Sequence, residues 1–326
     1  MNPAGQHAYL HGKLHGIIAK SFLDERFRFL QRLTNLSEVY RALFPKESLE
    51  VSERELVRTI EKKYELQILH SLIRTLDILQ PPPDLLLHTL QKYEIRNVKA
   101  ILRNLPSPVL PSSLWDLGKY ATFSIKEANL KEALTVSPYK DVLAQWEHKP
   151  LWAVEFSLDE RYYLALLKDI EALPRKEREI LLESLLAELR WINGVWILRL
   201  KYYYRMEEED IRERLLLKEK VNSEKDLKEL LQLSWEDPGS WKGSKYEWLV
   251  RVTPEGQIDP APAPWRLSKY LYRLYRRIFY RNPFTLSAVY GFFRMKEYEI
   301  HLIHSLTEGI QLGETESELK ELTEGL

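Results

Sequence analysis

Three histidines stand four residues apart near the start of the chain, His7, His11 and His15 in "HAYLHGKLHG". At 3.6 residues per turn they share one face of a helix, and imidazoles so placed are the material of a zinc or nickel site. One straight helix cannot converge all three on an ion, because the outer pair is about 12 Å apart at 1.5 Å per residue. Two of them with an outside ligand can; the alternative is a partly solvated helix face. His301 and His304 lie beside Glu297 and Glu299. A di-metal Glu-x-x-His motif needs the His three residues after a Glu, and Ile300 and Leu302 hold those positions. No Ser-His-Asp order, Walker lysine loop, His-Glu-x-x-His run or paired-Asp motif occurs. The 12 glycines do not cluster into a phosphate cradle, and with no cysteine there is no thiol catalysis or Cys-ligated zinc. The expectation is a protein without catalytic residues, resident metal or cofactor.

A second constellation is "WRLSKYLYRLYRRIFYRNPF" (265–284). On a helical wheel Arg266, Lys269, Arg273, Arg276, Arg277 and Arg281 fill one arc of roughly 140°. Leu267, Leu271, Leu274 and Ile278 form an apolar stripe, and Tyr272, Tyr275 and Phe279 an aromatic one. Basic residues interleaved with aromatics can take RNA or anionic headgroups, or simply face water and the acids of neighbouring helices. The chain as a whole carries 48 basic and 48 acidic residues, so bulk charge does not recommend nucleic acid.

The third is a repeated phrase. "YEIRNVKAILRN" (93–104) has Asn97 among apolar positions, and "LRWINGVWILRL" (189–200) repeats Asn-x-x-x-Ile-Leu-Arg from Asn193. "YEIHLIHSLTEG" (298–309) repeats the opening Tyr-Glu-Ile, with Glu299 matching Glu94 and Leu302 in the Asn position. The copies lie 96 and 109 residues apart, roughly a domain's spacing, so the chain reads as one helical unit used three times. An amide on a packed face must be hydrogen-bonded, so Asn97 and Asn193 are expected to lock packing rather than hold a ligand. "LDER" followed by aromatic and aliphatic residues also recurs, at 23 and 158.

The elements that position these residues read as helices. "AYLHGKLHGIIAKSFLDERFRFLQRL" (8–33) and "SERELVRTIEKKYELQILHSLIRTLDIL" (52–79) space apolar residues at three and four. "QPPPD" (80–84) stops the second, and Asp84 can open the next. A Pro/Ser-rich loop at 106–120 follows, with helices again from about Ser124 to Leu233. Ser157 and Glu160 read as a capping box, and Pro174 as a helix boundary. The segment 234–264 differs: rich in Pro, Gly and Trp, it reads as a structured loop in which "KYEWLVRV" alternates like a short strand. The tail "GETESELKEL" reads as a short acidic helix. No apolar run of 18 residues occurs, and the first 16 residues lack the apolar core of a signal peptide. The expected place is the cytoplasm.

In these residues the chain resembles the C subunit of archaeal and bacterial V-type (A-type) rotary ATPases, equivalent to the eukaryotic d subunit. That family places an acid, two residues, an Asn and then an aliphatic-basic run; Glu94, Asn97 and "VKAILR" match it. Asn193 matches the second copy, although Arg190 stands where the family has an acid. "NPFTLSAVYGFFRMKEYEIHLIHSL" (282–306) matches the third, with Leu302 for the Asn. "HAYLHGKLHGI", the segment 137–170 and "WRLSKYLYRLYRRIFYRNPF" resemble the N-terminal helix, the middle connection and the last long amphipathic helix. The resemblance implies an all-α protein of three similar lobes arranged as a funnel (1–125, 126–233 and 234–326, the last opening with the Trp-rich loop). It implies a non-catalytic central-stalk subunit, one copy per complex, peripheral on the cytoplasmic face of the membrane. Its partners would be the proteolipid rotor ring and the D- and F-type shaft subunits, with no nucleic acid. Glu94, Asn97, Asn193 and Glu299 are then lobe-packing residues, and Arg273, Arg276 and Arg277 are expected on a partner-facing surface. An unrelated helical scaffold is the alternative, disfavoured because solenoid repeats run near 35–45 residues.

Overall fold

The computed structural model describes residues 3–105, 114–125, 130–314 and Leu319. Among them are 14 α-helices and one two-stranded ribbon, an all-α architecture. The helices are α1 (Pro3–Ile18), α2 (Asp24–Leu30), α3 (Leu36–Leu43), α4 (Glu53–Leu76), α5 (Asp84–Asn104), α6 (Leu130–Thr135), α7 (Lys140–Trp146) and α8 (Leu151–Glu171). They continue with α9 (Arg175–Tyr202), α10 (Glu208–Arg212), α11 (Lys218–Val221), α12 (Glu224–Gln232), α13 (Ala263–Arg281) and α14 (Leu286–Leu312).

Local chemistry sets many of the ends. Asn35, Ser223 and Thr285 cap α3, α12 and α14, each side chain accepting the amide of the third residue on. Gly313 ends α14 with φ of 78°, where its own amide bonds Ile310 O and that of Glu314 bonds Gly309 O. Pro174 precedes α9 as expected. The long helix expected at 8–33 is divided: α1 stops at Ile18, and α2 starts at Asp24, which adopts a φ of 49°. The capping box expected at Ser157 is absent. Here α8 begins earlier, at Leu151, with Pro150 O accepting from Ala153 and Val154, and Ser157 Oγ bonds back to Val154 O at 2.8 Å inside the helix.

The chain divides into two compact units, residues 1–166 with 278–326, and residues 167–277. In the first, α14 is the axis. Its Phe292, Phe293, Leu302, Ile303 and Leu306 are all fully buried, and it packs on α4, α3, α1 and α5. Burial of each such side chain stabilises by about 1.5–3 kcal/mol. In the second unit Ile197 and Leu198 of α9 and Leu227 and Leu230 of α12 pack against Trp241, Tyr246, Leu249 and Ile258 of the Trp-rich segment. That segment is therefore core. The expected strand through Tyr246–Val252 is mostly 3-10 turn (Glu247–Leu249); only Arg251–Val252 pairs, antiparallel to Ile258–Asp259. Alternation fails because Leu249 and Val250, successive residues, are both buried while Val252 is exposed. Residues 106–113 of the Pro/Ser-rich loop, and the expected tail helix beyond Glu314 apart from Leu319, lie outside the described residues.

Candidate functional site

Asn97 and Asn193 do the same thing in different units. Asn97 Nδ2 donates to Trp115 O at 2.8 Å, and Trp115 N donates back to Asn97 Oδ1 at 2.7 Å. Asn193 Nδ2 donates to Leu216 O at 2.8 Å, and Leu216 N donates back to Oδ1 at 2.9 Å. Each primary amide thus stands in for a β-strand neighbour, satisfying both backbone groups of one buried loop residue. Asn193 also donates to Asn222 Oδ1.

The matching carboxylates hold loops too. Glu94 accepts from Thr122 N at 2.6 Å, Thr122 Oγ1 at 2.7 Å and the Tyr139 hydroxyl at 3.1 Å. Glu299 accepts from Phe22 N at 2.6 Å and the Tyr64 hydroxyl at 2.5 Å, and pairs with the buried Lys296, which also donates to Ser21 Oγ. Burial and the adjacent Glu299 push the Tyr64 phenol well up; burial and Glu94 do the same to Tyr139. The held loops carry strained or left-handed residues: Gly118 follows Trp115, Leu217 follows Leu216 at φ of 45°, and Asp24 follows Phe22. Such conformations cost about 1–3 kcal/mol for a side-chain-bearing residue and persist where the surroundings over-determine them. In α9 the position that matches Glu94 is Arg190, but a buried acid stands two residues earlier: Glu188 accepts from the Tyr275 hydroxyl.

The basic part of the motif is used as well. Lys99 and Arg103 of α5 pair with Asp159 and Glu155 of α8, Arg103 through two nitrogens at 2.6 and 2.9 Å. Arg96 pairs with the buried Glu65 of α4 and lies over the Trp115 ring, 5.0 Å from its centroid.

Helices α4, α5 and α14 enclose a charged cavity of about 460 Å³, lined among others by Glu65, Lys92, Arg96, Glu297 and His301. Burial pushes the Glu297 carboxyl up, but Arg294 and Lys92 outweigh it and hold the group below the ordinary carboxylate range. His301 lines the same cavity and is open to water; the protein packed near it and then the Lys92 ammonium push its imidazole down to about 4. In this cavity Lys92 pairs with Glu297 and Arg96 with Glu65.

The histidine face of α1 holds no metal cluster. Nε2 of His11 and His15 lie 3.0 Å apart against the rings of Phe279 and Phe284, and no group of three ligating residues with metal geometry occurs among the described residues. Burial, then His15, lowers the His11 imidazole.

On α13 the six basic residues separate into two sets. Arg266 donates to Trp248 O and Val250 O, and Lys269 lies over the Trp265 ring, so the first two are engaged with the Trp-rich segment and its helix junction. Arg273, Arg276, Arg277 and Arg281 are exposed. The sequence pattern singled out Glu94 and Asn97, which lie on α5, Asn193 on α9 and Glu299 on α14, each bonded to a loop and not gathered into one site. It missed Lys296, Tyr64 and Glu188, whose only signal was a charge or hydroxyl at a position inside an apolar stripe.

Compared with known proteins, the chain matches the family model of the ATP synthase (C/AC39) subunit over residues 10–322. The chain belongs to the ATP synthase (C/AC39) subunit family. It is also 25% identical, over 331 aligned positions covering 94% of this chain and 92% of the relative, to an uncharacterized protein of Treponema pallidum (strain Nichols). Membership makes the chain a subunit of a V/A-type ATPase. Among its described residues no helix is long and apolar enough to cross a membrane.

Proposed function

We propose that this C/AC39-family chain is the non-catalytic central-stalk subunit that links the proteolipid ring to the shaft of a V/A-type ATPase or ATP synthase. On this reading it turns with the rotor on the cytoplasmic side, one copy per complex. It receives the D- and F-type shaft subunits, is held to the membrane peripherally through the ring, and couples ATP hydrolysis or synthesis to ion transport. The family match over residues 10–322 carries the reading.

The interior supports it. Buried charges and amides are spent on fixing loops to long helices, and a torque adaptor needs that stiffness more than a reactive pocket. The use of one Asn clamp in α5 and α9, and of one carboxylate–tyrosine lock in α5 and α14, supports three similar lobes at about 1–125, 126–233 and 234–326.

The test is a tagged pull-down from gently solubilised membranes, with co-purifying chains identified by mass spectrometry. A proteolipid and central-stalk subunits in fixed ratio are expected. Unrelated soluble partners without ATPase subunits would replace this reading with that of a helical scaffold.

A further inference from the structure

Helix α13 contains no acidic residue along its whole length, Ala263–Arg281. Its apolar side chains Tyr272, Tyr275, Ile278 and Phe279 are buried, so the helix is committed to the protein and cannot lie down in a bilayer. Its two N-terminal basic residues are engaged with their own neighbourhood. The four that follow, Arg273, Arg276, Arg277 and Arg281, project to solvent from one face. Arg273, Arg277 and Arg281 make no ion pair among the described residues.

Two exposed aromatics belong to the same stretch. Tyr280 is 46% exposed between the arginines, and Phe284, three residues past the helix, is 57% exposed. Phe284 has a φ of 63°, an outlier for a bulky residue, and its ring is braced edge-on by His11 at 4.9 Å. A strained backbone that holds a phenyl ring out in water calls for a use in binding. Arginines beside interfacial tyrosine and phenylalanine form the composition that meets phosphate headgroups, with the guanidinium forks on phosphate oxygens and the rings at the level of the glycerol.

We propose that the exposed arginine face of α13, with Tyr280 and Phe284, is a docking surface for the anionic lipid headgroups of a membrane. The contact lies on the surface, electrostatic and salt-sensitive, and supplements whatever protein contacts hold the chain. It deepens the stalk reading, which brings the chain to a membrane, but its test uses the purified full-length chain and no ATPase subunit. Its failure is therefore distinguishable from failure of the pull-down.

The experiment is flotation with vesicles of phosphatidylcholine alone and of phosphatidylcholine mixed with phosphatidylglycerol. Wild type should float with the mixed vesicles only, and release as salt rises. Each surface arginine contributes about fivefold to partitioning, so the triple variant R273Q/R277Q/R281Q should bind about a hundredfold more weakly. It should also melt at the wild-type temperature, because the three side chains are exposed. The triple variant K225Q/K228Q/K242Q removes the same charge from exposed lysines elsewhere and should float like wild type. F284S should weaken binding without changing its salt dependence. Equal flotation with both vesicle types, undiminished binding by the arginine variant, or equal loss in the lysine control would overturn the proposal. So would loss of co-purifying chains from the arginine variant in detergent when wild type ignores vesicles; the face would then dock an acidic protein.

Discussion

Glu94 and Glu299 occupy the same place in two copies of one motif, yet they differ in what they would leave behind. Among the described residues Glu94 receives neutral donors, Thr122 and Tyr139. Glu299 also neutralises Lys296, an ammonium only 3% exposed. Removing one charge from a buried pair leaves the other uncompensated, at about 3–5 kcal/mol. Losing a charge-assisted hydrogen bond costs about 1.5–3 kcal/mol. E299Q is therefore expected to lower stability to urea more than E94Q, and equal losses would show that Lys296 finds water in the variant. The asparagines make a matched pair. Asn97→Ala strands the amide and carbonyl of Trp115, and Asn193→Ala those of Leu216. Each is expected to cost about 2–4 kcal/mol, from roughly 1–3 kcal/mol per unsatisfied buried group. A cost below about 1 kcal/mol in urea unfolding would mean that water replaces the amide.

Among elements, the long helices were legible because their apolar spacing is regular: α4 and α5 fall where the pattern and "QPPPD" put them. The break between α1 and α2 was not, since Ala19–Leu23 contains no Pro or Gly; the loop is held by Glu299, some 277 residues away, and no local pattern carries that. The same applies to the Trp-rich segment, where irregular backbone lets Trp241 and Tyr246 reach the core without periodicity. Nothing in the pattern marked Lys296 as buried, because charges at three-residue spacing on a helix are usually solvated. Helix α14 also carries the pH-sensitive group. His301 has a folded-state value of about 4, below the ordinary 6.5, so the unfolded chain binds more protons between these values. Stability is then expected to fall as pH drops from 6.5 towards 4, modestly because the ring touches water, and His301→Asn should flatten that part of the slope. In NMR, His301 should show no titration midpoint between pH 5 and 8; a midpoint near 6.5 would sink the assignment.

At the scale of the molecule, the repeated phrase was readable because a buried amide in an apolar stripe is rare enough to be noticed twice. The division of the chain was not, because it follows contacts formed across the whole sequence. Residues 167–277 are continuous in sequence, carry their own core of Ile197, Leu198, Leu227, Trp241, Tyr246 and Leu249, and contain both ends of the Asn193 clamp. A segment of about 100 residues is within the range that buries enough surface to fold unaided. Expressed alone, 167–277 is expected to unfold in urea in one cooperative transition followed by both far-UV circular dichroism and tryptophan fluorescence. Asn193→Ala should lower its stability by the same amount, about 2–4 kcal/mol, as in the full chain, because every partner of the clamp is inside the fragment. A broad, non-coincident transition would mean that the unit borrows its order from the rest of the chain. A cooperative fragment in which Asn193→Ala had no effect would instead leave the unit intact and remove the clamp from among the interactions that hold it.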